Sequence, residues 1–218
     1  MDFIFNSIRA LESAYESFRI SIAFNIVCLV CNASSAREND ELFFSLALEV
    51  GNRTDLTDLL DKYFEDELLT DYNCSCGQNL SALAKRITNL PPVIAIQVKR
   101  YDRDSVKSSD VVVPNINLDF TKYTDTNSVY QLRSIISHKG TSIDTGHYTC
   151  TIYERVDSDR GFYFEVDGTS VSCKENVDYV NTDGYIFFYE NEVCVNNISS
   201  WIPCSFLLLI FNTKLSVV

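Results

Sequence analysis

The chain has 218 residues, of which 46% are apolar, and its 7 glycines and 4 prolines are too few for a disordered or collagen-like protein. This length supports one well-packed core with room for a small subdomain. The net charge of −12 would repel nucleic acid and anionic membranes and favour a basic partner, although it would serve solubility alone equally well.

The amino-terminal segment, residues 1–20, is predicted to form an amphipathic helix, because acidic residues such as Glu12 and Glu16 are spaced among apolar ones. Those acidic residues argue against a secretory signal. The apolar runs at 20–31 and 202–211 are too short to span a bilayer. We therefore expect no membrane span and an intracellular protein, in the cytoplasm, the nucleus or both.

The first half of the chain alternates strands, polar turns and one helix. Residues 20–27 predict a strand, 32–40 a polar loop and 42–50 a second strand. Thr54 is predicted to cap a helix. The apolar face of that helix recurs at helical spacing, at Leu56, Leu59, Leu60 and Tyr63.

The second half is dominated by strands. A Pro-Pro corner at 91 and 92 separates two predicted strands, and a short helix is predicted at 174–181. The remaining strands are "VVVP", "INLDF", "VYQLRSIISHKG", "GHYTCTIYERV", "GFYFEVDG" and "GYIFFYE". This order predicts an α+β fold whose second half is an antiparallel meander. Residues 191–218 lack the pattern and are predicted to be an appended hydrophobic tail.

The eight cysteines are unevenly spaced, since four of them fall in the tight pairs "CLVC" and "CSC". An even count is compatible with disulfides, but tight pairs without a secretory signal favour a metal site in a reducing compartment. The pairs are Cys28 with Cys31 and Cys74 with Cys76.

Two such turns brought together would place four thiolates around one ion, and this donor set prefers Zn²⁺. Four thiolates leave no position open for water, so the zinc would be structural. The second pair is one residue shorter than the usual pattern and has a tighter bite. The alternative is a group of buried free thiols. The other cysteines, at 150, 173, 194 and 204, are expected to be packing residues.

Both histidines of the chain lie in one short stretch, "SHKGTSIDTGHYTC". His147 starts a predicted strand, and Asp167 ends the next one. Two antiparallel neighbours would bring these side chains together, and a carboxylate holding one imidazole nitrogen would leave the other free as a base. By spacing alone, an ordinary surface histidine is the favoured interpretation.

The stretch from Phe24 to Glu190 resembles the C-terminal two-thirds of the catalytic domain of the ubiquitin-specific proteases, a family of cysteine deubiquitinases. "LPPVIAIQVKRY" is similar to the family's LP-x-V-(x)-L-K-R-F strand. The other matching signatures, in family order, are "CLVCNASS" with "FFSLALEV", "LTDLLDKYFEDELL", "YNCSCG", "VVVPNINLDF", "YQLRSIISHKG", "GHYTC", "FEVDGTSV" and "GYIFFYE".

The resemblance implies a partial papain-like fold over 21–190, with zinc-bearing fingers at about 24–90 and a β palm at about 91–190. It implies hydrolysis of the bond after the C-terminal glycine of ubiquitin, with ubiquitin or a ubiquitinated protein as partner. His147 matches the general base and Asp167 the residue that orients it. An acidic protein suits the basic tail of ubiquitin.

Two further residues of the histidine stretch match family positions. Tyr148 falls where the family lines the channel for the ubiquitin tail. His138 matches the preceding H-x-G, where a structural or loop-anchoring role is expected rather than a catalytic one.

Two features depart from the family pattern. Nothing resembles the G-x-x-N-x-G-N-T-C-Y box that carries the nucleophile and the oxyanion-stabilising groups. Cys150 is predicted to face away from His147 on the same strand, and Cys173 lies where the family has no nucleophile. We therefore expect this chain by itself not to cleave ubiquitin. Gly168 stands where the family often has an acid or asparagine.

Three functions remain open at this point. The chain is part of an active deubiquitinase whose nucleophile segment lies outside this sequence, or a non-catalytic ubiquitin-binding or scaffold module, or a zinc-stabilised structural domain with an unrelated partner. Retention of both His147 and Asp167 favours the first.

Overall fold

The computed structural model describes residues 16–48, 53–101, 106–141, 146–155, 161–174 and 184–191. Most of the predicted amino-terminal helix lies outside these ranges, although its residues 16–18 are helical. Apart from their first residues, the helix predicted at 174–181 and the tail predicted at 191–218 also lie outside the described residues.

Besides the helical residues 16–18, the described residues form strands, one complete α-helix and one 3₁₀ turn, which spans Thr121–Tyr123. The helix α1 spans Leu56–Phe64. The strands are β1 Ile20–Cys28, β2 Ser34–Glu41, β3 Phe44–Ala47, β4 Thr54–Asp55, β5 Glu67–Leu69, β6 Ser81–Asn89, β7 Val93–Lys99, β8 Val112–Val113, β9 Asn117–Asp119, β10 Val129–Lys139, β11 His147–Arg155, β12 Gly161–Asp167, β13 Ser170–Lys174 and β14 Gly184–Asn191.

The smaller sheet is antiparallel and has the order β2-β1-β6-β5. Its edge strand β2 corrects the sequence analysis, which predicted a polar loop at 32–40. Nearly all of β2 is exposed, so its sequence "SSARENDE" carries no apolar alternation. Its backbone nevertheless pairs with β1 from Ser34 to Glu41. An edge strand that is exposed to solvent on both faces has no alternation of apolar and polar residues from which it could be predicted.

The larger sheet has the order β13-β12-β11-β10-β14-β7-β3, and β9 pairs with the first residues of β10. The strands predicted in the second half are confirmed, except that β13 was not expected. Of the strands that precede the predicted meander, β3 also joins this sheet, and it runs parallel to β7. The strand β3 therefore belongs to the larger sheet, although in the sequence it comes between strands β2 and β5 of the smaller sheet.

The N-cap of α1 lies one residue later in the sequence than predicted. Leu56, Leu59 and Leu60 are buried as expected, but the N-cap residue is Asp55, and it makes no side-chain capping bond. The predicted cap, Thr54, is instead part of β4, where it pairs with Val112. Tertiary pairing of the backbone thus overrides a favourable capping sequence.

The main core lies between α1 and the larger sheet and is rich in aromatic rings. Phe44 of β3 stacks on Phe120 with ring centroids 5.9 Å apart, and its edges meet Tyr63 and Phe64 at 5.7 and 5.8 Å. Such contacts add to the free energy gained by burying apolar area. Among the described residues, no helix is both long and apolar enough to cross a membrane.

Candidate functional site

The four paired cysteines converge on one point at the end of the smaller sheet. The Sγ atoms of Cys28 and Cys76 are 3.8 Å apart, and those of Cys31 and Cys74 are 3.6 Å apart. All four sulfur atoms lie within 4.8 Å of one another. In a tetrahedral site with Zn–S bonds of about 2.3 Å, sulfur atoms are about 3.8 Å apart. The cluster therefore has the size and the donor atoms that fit such an ion.

Two similar turns present these thiols. In the first, Asn32 N–H donates to the carbonyl oxygen of Cys28, and in the second, Gly77 N–H donates to that of Cys74, each at 2.9 Å. Both donor residues have positive φ, 60° for Asn32 and 83° for Gly77. Glycine and asparagine are the residues that tolerate this conformation best. The second cysteine pair is one residue shorter than the usual spacing, but its turn still brings both thiols to the cluster.

Hydrogen bonding and crowding separate the acidities of Cys28 and Cys76. The backbone N–H of Cys31 is the main reason why the pKa of Cys28 falls to about 6. At Cys76 the backbone N–H of Gln78 lowers the pKa, but the neighbouring thiols, led by Cys31, outweigh it and raise the pKa to about 12. Successive ionisation of adjacent thiols is costly, and a divalent cation at their centre would remove that cost.

The structure also brings His147 and Asp167 into contact on the larger sheet. The Nε2 atom of His147 hydrogen-bonds Oδ1 of Asp167. An ionised carboxylate only accepts hydrogen bonds, so this contact places the imidazole proton on Nε2. Of the residues that the structure describes, none hydrogen-bonds Nδ1, which is left as an acceptor. Both side chains are about half exposed, at 47% and 46%.

Strand register accounts for this contact. Cys150 of β11 pairs with Val166 of β12, so His147 lies diagonally across from Asp167 on the neighbouring strand. A two-residue turn follows Asp167, the last residue of β12, and leads into β13. Asp167 pairs with Ser170, the first residue of β13. Gly168, the first residue of the turn, has φ +58°. A hairpin of this kind favours glycine there, which explains its departure from the family pattern.

The neighbouring residues of the histidine stretch take different positions. Tyr148 is 37% exposed beside His147, and partial burial raises the pKa of its phenol. His138 is 1% exposed, and its Nδ1 lies 2.5 Å from the hydroxyl of Tyr101. The contacts of His138 with Tyr101 and Gly146 were not expected from the sequence. The one available signal was a tyrosine at a position where the family pattern has phenylalanine.

The two described cysteines outside the cluster lie in the larger sheet. Cys150 is half-buried on β11, and its Sγ faces the carbonyl oxygen of Thr151 at 4.0 Å. Cys173 is exposed on β13. Among the described cysteines, none hydrogen-bonds His147. Cys194 and Cys204 lie outside the described residues.

An open groove of about 950 Å³ lies beside the smaller sheet. The strands β1 and β6 form one wall with Asn25 and Arg86, and the end of α1 and the 3₁₀ turn form the other, where Asp61 contacts both Lys122 and Tyr123. The hydroxyl of Tyr123 donates to Asp61 at 2.5 Å. This groove is separate from the thiol turns and from the histidine–aspartate pair.

Comparisons with known proteins agree on one family. A sequence model of the family "Ubiquitin carboxyl-terminal hydrolase" matches residues 7–189. Ubiquitin carboxyl-terminal hydrolase 36 of Drosophila mojavensis is 28% identical over 189 residues, which are 82% of this chain and 15% of that protein. Ubiquitin carboxyl-terminal hydrolase 8 of Saccharomyces cerevisiae is 28% identical over 195 residues, covering 79% of this chain and 40% of that protein.

Solved structures give the same fold. The SAGA DUB module of Ubp8, Sgf11, Sus1 and Sgf73 bound to monoubiquitin matches with a TM-score of 0.73 and 25% identity, over 87% of this chain and 47% of the matched chain. The same module bound to ubiquitin aldehyde matches with a TM-score of 0.73 at 24% identity, over 87% of this chain and 48% of the matched chain. The chain thus spans less than half the length of these relatives and has part of the ubiquitin-specific protease fold.

Proposed function

Since this chain belongs to the ubiquitin carboxyl-terminal hydrolase family, we propose that it serves hydrolysis of the bond after the C-terminal glycine of ubiquitin. In this proposal His147 is the general base, Asp167 orients it, and Tyr148 lines the path of the ubiquitin tail. The observation that carries the proposal is the His147–Asp167 hydrogen bond, which leaves Nδ1 available to accept a proton.

The chemistry follows from this geometry. Asp167 accepts the Nε2 proton of His147, which selects the tautomer whose Nδ1 carries a lone pair. Nδ1 would take the proton of an attacking thiol and later return it to the leaving amine, and the carboxylate would stabilise the imidazolium formed in between. Both side chains are accessible from solvent, as a site that receives a polypeptide tail requires.

We also propose that this 218-residue chain does not cleave ubiquitin by itself. Four of the cysteines are occupied with one another, and neither Cys150 nor Cys173 contacts His147. A base and its orienting carboxylate cannot form an acyl-enzyme without a nucleophile. The complete activity therefore requires a thiol contributed by a segment other than those described.

Zinc is proposed for the thiol cluster of Cys28, Cys31, Cys74 and Cys76. The support is the tetrahedral spacing of the sulfur atoms and their softness as ligands. When bound, the ion would cross-link the two turns and have no position open for water. Thiolate ligands persist in a reducing compartment, which supports an intracellular location.

The test of the catalytic proposal uses a chimera that supplies the nucleophile. The segment of the Saccharomyces relative that precedes its match to this chain is fused ahead of residue 16, and cleavage of ubiquitin–amidomethylcoumarin is measured. We expect activity that falls by about 10³-fold or more in a His147→Ala chimera. An Asp167→Asn chimera should also lose activity, because the tautomer is no longer selected.

The unfused chain is the matched control. It should release no more fluorophore than its own His147→Ala variant. A clear excess over that variant would contradict the proposal that the chain lacks a nucleophile. A folded, ubiquitin-binding chimera whose activity is indifferent to His147 would contradict the assignment of the base.

A second function, ubiquitin binding without cleavage, is favoured by the open groove beside the smaller sheet. One neighbour of the same fold is described as bound to monoubiquitin. A titration of the labelled chain with ubiquitin distinguishes both functions from a purely structural zinc domain. No detectable shift at high micromolar ubiquitin would favour the structural role.

A further inference from the structure

We propose that Tyr101 and His138 form a positioning pair that holds His147 in contact with Asp167. Neither residue touches the reacting atoms, so both would act through the backbone on either side of His147. This inference rests on the proposed role of His147 as the base, but its structural consequence is measurable without any catalysis.

The first step is that His138 is buried and hydrogen-bonded to the half-buried Tyr101. His138 is the last residue but one of β10 and has 1% of its surface exposed, and its Nδ1 lies 2.5 Å from the Tyr101 hydroxyl. A buried imidazole nitrogen without a partner would be destabilising, because folding would remove its hydrogen bonds to water without replacing them. The hydroxyl, which a phenylalanine would not supply, therefore fixes the plane and the rotamer of the His138 ring.

The second step is that the ring of His138 contacts both neighbours of His147. Gly146 lies so close that an added Cβ would overlap Nε2 of His138 and would lie 2.9 Å from the carbonyl oxygen of Lys139. On the other side, the rings of His138 and Tyr148 are tilted with centroids 4.6 Å apart. A glycine at 146 is thus required by close packing against His138.

The third step is that the backbone beneath this contact is tied down. His138 pairs with Tyr148, and Lys139 pairs with His147, which makes these the last paired residues before the connection between β10 and β11. The ammonium group of Lys107 donates to the carbonyl oxygen of His138. Tyr101 and Lys107 themselves form a β-bridge.

These contacts matter because His147 has little else to hold it. It begins its strand, its side chain is 47% exposed, and within the described residues that side chain hydrogen-bonds a carboxylate that is itself 46% exposed. A half-exposed pair of this kind orders itself weakly. The buried ring of His138 supplies the rigid support that a catalytic side chain needs from its surroundings.

The experiment reads the tautomer of His147 by NMR in the full chain labelled with ¹⁵N-histidine. The chain has only 2 histidines, so its imidazole signals form two sets, which a His147→Ala sample assigns. In the wild type we expect His147 to show one dominant tautomer, protonated at Nε2. We also expect a nuclear Overhauser contact between the ring of His138 and the α-protons of Gly146.

The test variant is Tyr101→Phe, which removes one hydroxyl and keeps the ring volume. We expect His147 to lose its single-tautomer signature and approach that of an Asp167→Asn sample, with a weaker contact between His138 and Gly146. The matched control is Tyr153→Phe, since Tyr153 lies on β11 and stacks on Tyr163 rather than on His138. The control should keep the wild-type tautomer.

The outcomes separate this inference from the proposed function. If Tyr101→Phe folds, as judged by unchanged amide signals of the thiol turns, and keeps the wild-type tautomer of His147, the positioning role is refuted. If it loses the whole fold instead, Tyr101 is a general stability residue and the positioning role is refuted as well. If the tautomer responds but the chimera shows no dependence on His147, only the catalytic proposal fails.

Discussion

Removing the cross-link at the thiol cluster is expected to destabilise the whole chain. The perturbation is a double substitution, Cys31→Ser with Cys74→Ser, which takes one ligand from each turn. It leaves Cys28 and Cys76 too few to hold a four-coordinate ion. Treatment of the wild-type protein with a strong zinc chelator should have the same effect.

The magnitude follows from mass action. The ion would bind the two turns only when the fold brings Cys31 and Cys74, 43 positions apart in the sequence, together, and it would be released on unfolding. It therefore stabilises the fold by about 4 kcal/mol where free zinc exceeds its dissociation constant about a thousandfold. For a chain of this length, about 4 kcal/mol lowers the melting temperature by about 8–16 °C.

The assay combines metal content with thermal unfolding followed by circular dichroism. Protein purified without chelator should contain one zinc ion per chain, and the double variant should contain little. The matched control is Cys173→Ser, an exposed cysteine on β13 that lies outside the cluster. If the double variant melts within about 1 °C of this control, the zinc cross-link is refuted.

Three further changes test other contacts. Gly146→Ala should lower the free energy of unfolding by about 1–3 kcal/mol in urea titrations, because its Cβ would overlap the ring of His138. Arg100→Met should cost about 2–4 kcal/mol, since a buried guanidinium that donates to two backbone carbonyl oxygens is lost. Burial opposes ionisation of Asp61, but its bonds to Lys122 and Tyr123 prevail and lower its pKa below 3.8. Its carboxylate therefore stabilises the fold above that pH and ceases to do so as pH falls through the lowered pKa, a dependence that Asp61→Asn should lack.

Matched controls accompany the last two changes. Arg37→Met removes an arginine from the exposed strand β2, and Asp71→Asn removes an exposed carboxylate. Arg37→Met should leave the urea midpoint nearly unchanged. A loss equal to that of Arg100→Met would mean that the buried hydrogen bonds contribute nothing. If wild type, Asp61→Asn and Asp71→Asn lose stability in parallel between pH 5 and pH 2, the lowered pKa of Asp61 is contradicted.

Much of the fold could be predicted because its strands bury one or both faces. The strands β7, β10 and β14 carry long apolar runs, and each was predicted close to its observed bounds. The apolar face of α1 was predicted for the same reason. Burial leaves a trace in the residues themselves, whichever partner provides the burial.

Features that depend on pairing alone could not be predicted. The strand β2 is paired but wet on both faces, and the parallel alignment of β3 with β7 joins segments about fifty residues apart. The N-cap of α1 is Asp55 rather than Thr54 because β4 pairs with β8. Backbone hydrogen bonds between distant segments are indifferent to side-chain type, so they leave no local signal.

The same division applies to the candidate sites. The sequence by itself determined which residues are the candidates for the chemistry, because thiols in tight pairs and a histidine followed by an aspartate are chemical types at recognisable spacings. Only the tertiary structure decided that Cys28, Cys31, Cys74 and Cys76 meet within 4.8 Å and that Nε2, rather than Nδ1, of His147 faces Asp167. It alone placed Tyr101 against His138, because that contact joins the segment just after β7 to β10, and distances between such segments are properties of packing rather than of sequence spacing.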